Sequence, residues 1–204
     1  MKRVLKTLTL LSALVISINI FTVPASAYEQ HYISYQSYDS LSSCELNVPQ
    51  IAQQKSKWCW AASSEMVSKY LCNSDKTQRD IVKYIYYTTG NSDSMYPNFG
   101  GGIDAVYKAV RYATNNNYPV NKIQRALSYE EIKEQIIEKK LPIIAILLRS
   151  NGGHVVVICG VNLKNESVIV RDPWEDNKTK EYLYSDFCNC IAGQGAYKQS
   201  VTFD

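Results

Sequence analysis

Two histidines are all the imidazole this 204-residue chain possesses. His31 lies in a polar, Tyr- and Ser-rich stretch near the start, so any imidazole chemistry rests on His154. Gly152-Gly153 puts a turn before His154 and an apolar run, Val155 to Cys159, follows it, which sets the ring at the mouth of a strand. Asp172 ends the next strand of the same hairpin, within reach of that ring. Cys59 opens a helical pattern, at the first turn, where unpaired N–H groups and the helix dipole favour a thiolate. Singly, each residue has a plainer reading. Cys59 is then a buried structural thiol between Trp58 and Trp60, His154 an incidental strand-end residue, and Asp172-Pro173 a turn starter. Together they supply a nucleophile, a base and a group to orient the base, which is what acyl transfer through a thioester requires.

Other chemistries find little support. Two histidines and no Cys-x-x-Cys pair give no zinc site, so no metal is expected. Gly100-Gly101-Gly102 lacks the Gly-Lys-Ser/Thr that completes a phosphate loop and reads as a turn before a helix; no cofactor is implied. The formal net charge of +3 matches the three basic residues Lys2, Arg3 and Lys6 at the start. Those residues precede an apolar run from Thr7 to Val23 and the small triplet Ala25-Ser26-Ala27, the pattern of a cleaved export signal. Removing residues 1–27 leaves a chain near neutrality, with no electrostatic case for nucleic acid or a membrane surface. The expected product is secreted and extracellular, with no span after the signal is removed.

The elements that must position the three residues follow from periodicity. Residues 28–45 read as a tail or short leader, and the domain as 46–204. Ala62, Met66, Val67 and Tyr70 form one stripe of a helix from Cys59 to about Leu71. Thr77-Gln78-Arg79-Asp80 and Ser128-Tyr129-Glu130-Glu131 are capping boxes that open further helices, and Ile103 to about Thr114 is another. Strands are expected over Pro142–Leu148, Gly153–Val161 and Val168–Arg171, with two more around Tyr182–Tyr184 and Ala196–Phe203. A helical lobe to about residue 117 packed on a strand-rich β lobe from about 118 to 204 makes an α+β layout.

Six cysteines in an exported chain suggest disulfides. Cys159 sits in a strand of apolar residues and suits a free thiol. With Cys59 set apart, Cys188 and Cys190 are expected to bond to Cys44 and Cys72, in either order.

The segment Gln53-Gln54-Lys55-Ser56-Lys57-Trp58-Cys59-Trp60-Ala61-Ala62-Ser63 resembles the active-site segment of papain-like cysteine peptidases. Gly153-His154 resembles that family's histidine strand, and Asp172-Pro173-Trp174 its Asn-x-Trp. The resemblance covers most of the domain in order and spacing, and is greatest to compact bacterial branches, secreted effector peptidases and peptidases that trim double-glycine leaders. It implies a papain-like fold with an antiparallel β lobe and the active site in the cleft between lobes. It implies Cys59, His154 and Asp172 as catalytic residues, Gln53 in the oxyanion hole, and Trp174 as a shield for the histidine's hydrogen bond. Gln54 takes the oxyanion role if the alignment moves by one residue. The implied partner is a protein or peptide substrate, and the implied state a monomer. Three departures stand out: Asp172 replaces the plant-type Asn, Ser56 replaces the cysteine of the plant-type motif, and the leader is too short for a large inhibitory pro-domain. Leader processing, deamidation and isopeptide transfer use the same residues, and a non-catalytic secreted binding module is the alternative of another class.

Overall fold

The computed structural model describes residues 41–88, 96–174, 179–190 and 194–204. The export signal at 1–27, the leader up to residue 40 and His31 lie outside the described residues.

The described chain begins with a short strand, β1 (Ser43–Glu45), which pairs antiparallel with a later strand, so ordered structure starts within the stretch read as a tail. Three helices follow: α1 (Cys59–Cys72), α2 (Gln78–Thr88) and α3 (Ile103–Ala113). Then come β2 (Val120–Ile123), α4 (Tyr129–Lys133), β3 (Ile143–Arg149), β4 (Gly152–Asn162), β5 (Ser167–Arg171), β6 (Thr179–Leu183), α5 (Tyr184–Asn189) and β7 (Ala196–Phe203). The strands form one antiparallel sheet in the order β2-β7-β3-β4-β5-β6, with β1 on β4. This is the expected α+β arrangement of helices on an antiparallel sheet.

Local chemistry explains the boundaries. Both capping boxes form: the Thr77 hydroxyl donates to Asp80 Oδ2, and the Ser128 hydroxyl accepts from the Glu131 N–H while Glu131 reaches back to the Ser128 N–H. The helix from Ser128 does not stay α-helical to its end. It passes into a π-helical turn over Glu134–Glu138, and Lys140 (φ 57°) stops it two residues before Pro142. Asn73 in a left-handed conformation ends α1.

Helix α1 lies between the other helices and the sheet. From Trp60 to Ser68 every residue is buried, and fully burying an apolar side chain of Met66 or Val67 size contributes about 1.5–3 kcal/mol. Trp58 and Trp60 are fully enclosed, and their indole N–H groups donate to the carbonyls of Pro97 and Phe99. Those bonds fasten the segment before Gly100 to the start of α1.

Two expectations need correction. Tyr184 starts a helix rather than extending a strand, because α5 turns there to bury Phe187 against Tyr197. The two disulfides are not formed; all six cysteines carry free thiols. Cys72 donates back to the Ser68 carbonyl within α1, and Cys44 on β1 faces the Ile136 carbonyl, so each has its own local partner.

Candidate active site

Cys59 is the first residue of α1 and is half-buried. Its helix is fastened to the sheet by Ser63, whose hydroxyl donates to the Val155 carbonyl at 3.1 Å. His154 stands beside Val155 near the start of β4, paired across to Leu147 of β3. The β3–β4 turn ends in Gly152 at φ 133°, a conformation side chains rarely adopt, and releases the chain directly into the His154 strand. Asp172 follows the last residue of β5, and β4 and β5 are neighbours in the sheet. Helix start and strand ends thus converge as their sequence positions suggest.

His154 Nε2 lies 2.7 Å from Asp172 Oδ1. With the carboxylate ionised, Nε2 carries the proton and donates, which leaves Nδ1 for the hydrogen bond that His154 also makes with Cys59. Burial alone would push the imidazole pKa down; the hydrogen bonds to Asp172 and Cys59 outweigh it and raise it to about 9. Burial likewise works to raise the Asp172 carboxyl, yet its bonds to His154, the Trp174 N–H and Gln194 hold it below the usual range. Both groups are buried, Asp172 almost completely at 1 % exposure.

Gln53 and Gln54 have different settings. The Gln53 N–H donates to the Pro173 carbonyl at 2.8 Å, which joins Gln53 to the turn that carries Asp172 and Trp174. Its side-chain amide donates to the Lys55 carbonyl at 2.9 Å, and its Oε1 is buried with no partner among the described residues. Gln54 is exposed, and its backbone N–H is taken by the Gln78 side chain. Trp174 is 59 % exposed. Its ring meets His154 edge-on at 6.5 Å between centroids, and its backbone N–H donates to Asp172 Oδ1 at 2.9 Å.

Two residues around Asp172 went unread in the sequence. Gln50 donates to the Asp172 carbonyl at 2.6 Å and Gln194 to Asp172 Oδ2 at 3.0 Å. Neither carries a local signal, since each meets Asp172 only through the fold. Cys59, His154, Trp174 and Gln194 share a cleft of about 860 Å³ with the glycine segments 100–102 and 152–153. The arrangement places a thiol, an imidazole and a buried carboxylate in series at the floor of an open groove. That series can move a proton off sulfur and pass it to a leaving group.

A model of the Peptidase_C39 like family matches residues 45–201. No curated protein matches the chain in sequence. Among solved structures, a C39-like peptidase from Bacillus anthracis superposes with a TM-score of 0.59 at 18 % identity, over 79 % of this chain and 97 % of the other. A double glycine motif protease from an AMS/PCAT transporter, in complex with its leader peptide, gives 0.50 at 22 % identity, over 78 % and 93 %. The Carica candamarcensis cysteine protease CMS1MS2 in complex with E-64 gives 0.51 at 13 % identity, over 80 % and 98 %. The fold is therefore papain-like.

Proposed function

We propose, from the premise that the chain belongs to the Peptidase_C39 like family and is a cysteine peptidase, that it hydrolyses peptide bonds through a thioester on Cys59. The observation that carries this reading is the continuous link from Cys59 through the His154 ring to Asp172, with 2.7 Å between His154 Nε2 and Asp172 Oδ1.

The steps follow from the link. His154 takes the Cys59 proton, and the sulfur bonds to the substrate's carbonyl carbon. The Cys59 N–H and the Gln53 side-chain amide bind the oxyanion; the Gln53 bond to Lys55 uses one amide hydrogen and leaves the second. The C–N bond breaks as His154 gives its proton to the leaving amine. Water then attacks the thioester, His154 accepts its proton, and the C–S bond breaks to release the acid and restore the thiol. Asp172 stays ionised throughout and holds the ring. The substrate is a protein or peptide, and the enzyme is exported by residues 1–27 and acts as a secreted monomer.

Incubation of the purified protein with E-64 tests the reading: a mass shift of one inhibitor, confined to Cys59, is expected. A folded, reduced protein that takes no label makes the chain a non-catalytic module. Casein and a peptide library then separate general hydrolysis from leader processing, deamidation or isopeptide transfer.

A further inference from the structure

We propose that Gln194 is a positioning residue of this site: by donating to Asp172 Oδ2 it fixes the carboxylate plane that presents Oδ1 to His154. The inference rests on the reading of Cys59, His154 and Asp172 as one catalytic series.

The Asp172 backbone is already held, by Gln50 at its carbonyl and by Gln53 at that of Pro173. What remains soft is rotation about the bond to the carboxyl group, a torsion with a broad minimum. Oδ1 receives His154 Nε2 from the ring and the Trp174 N–H from the backbone. Oδ2 receives Gln194 Nε2 at 3.0 Å. Asp172 is almost fully buried, so without that donor Oδ2 loses a partner in a place with little water to replace it. The carboxylate would then turn, and the bond that turning weakens is the one to His154.

The fold delivers Gln194 for this purpose. Gly195 follows it at φ 119°, with the ideal Cβ position only 2.8 Å from the Leu148 carbonyl oxygen, so only glycine fits that step. Ala196 then pairs with Leu148 as β7 joins β3, while Leu147 of β3 faces His154 across β4. The Gln194 side chain is thus carried to the His154 end of the sheet at the entry to β7.

Imidazole NMR tests the inference without any substrate. His154 is resolved from His31 by comparison with His154→Ala, and its titration midpoint is followed in three proteins. Gln194→Leu should lower the midpoint by about 1 unit, because the carboxylate no longer faces the ring squarely. Gln194→Glu, which puts a second carboxylate beside Asp172, should raise it. A side chain that merely packs would change the melting temperature in Gln194→Leu and leave its midpoint where it was, and that result overturns the proposal. Should Gln194→Leu fail to fold, Gln194→Met, which also removes the donor without adding a charge, decides alone by whether the midpoint falls. A wild-type protein that resists E-64 but shows the two opposite shifts would remove the peptidase reading and leave the positioning role standing.

Discussion

The Ser63 hydroxyl donates to the Val155 carbonyl at 3.1 Å, four residues after Cys59 on one side and one residue after His154 on the other. Both atoms are buried in the seam between α1 and β4, so this bond ties the thiol's helix to the imidazole's strand. Ser63→Ala should cost about 1–3 kcal/mol by leaving the carbonyl short of a partner. It should also slow the alkylation of Cys59 by iodoacetamide, since the two reacting groups drift apart. Urea unfolding and a timed labelling experiment measure the two effects separately.

Gln53 is expected to act in the transition state alone. Gln53→Ala should lower kcat by about 10²–10³ with little change in KM, because the oxyanion exists only during reaction. The protein should still take E-64, at a reduced rate. Gln54→Ala, at an exposed side chain, serves as the control and should leave turnover unchanged. A loss confined to Gln54→Ala would move the oxyanion role by one residue.

What the sequence disclosed and what it withheld divide along one physical line. Cys59, His154 and Asp172 each stand at an element's end that local patterning reveals: a helix start, a strand mouth after two glycines, a strand exit before proline. Their meeting needs only α1 to pack on a hairpin. Gln194 depends on β7 returning between β2 and β3, a pairing of distant segments with no local trace beyond the glycine that follows it. Strand β2 was unread because its four residues have no buried side and take their register from β7. Strand β1 was hidden by polar composition, since it adds to an edge of β4 instead of covering a core. The six-residue α5 leaves no local pattern beyond Tyr184, which the run Tyr182-Leu183-Tyr184 assigns to a strand.

The glycine rim of the cleft predicts a sharp contrast between neighbours. A Cβ at Gly101 would come within 2.7 Å of the Trp60 ring, which is fully buried and tied to the Phe99 carbonyl. Trp60 has nowhere to retreat, so Gly101→Ala should destabilise the protein by about 1–3 kcal/mol as an overpacked site. Because Trp60 adjoins Cys59, it should also depress E-64 labelling. A Cβ at Gly100 meets nothing within 4 Å, so Gly100→Ala should be silent in both measurements. Thermal melts of the two variants, run beside the labelling assay, check the pair.

The buried His154–Asp172 couple should make stability depend on pH in a stated direction. In the folded protein the imidazole is raised to about 9, against about 6.5 in an unfolded chain. A group whose folded value is raised contributes stability that is complete below 6.5 and is lost as pH rises through 9. Asp172 has the opposite sense: its folded value is lowered, so its contribution is present above the ordinary carboxylate range and fades as pH falls through the folded value. The couple is therefore most stabilising between the unfolded carboxylate value near 4 and the unfolded imidazole value near 6.5. Urea unfolding at intervals from pH 6 to 10 should show wild-type stability falling across that range. His154→Ala should fall less steeply over the same interval, because it has no imidazolium to lose. Equal slopes in the two proteins would mean that the His154 charge is not held by the fold, and the raised imidazole value would have to be abandoned.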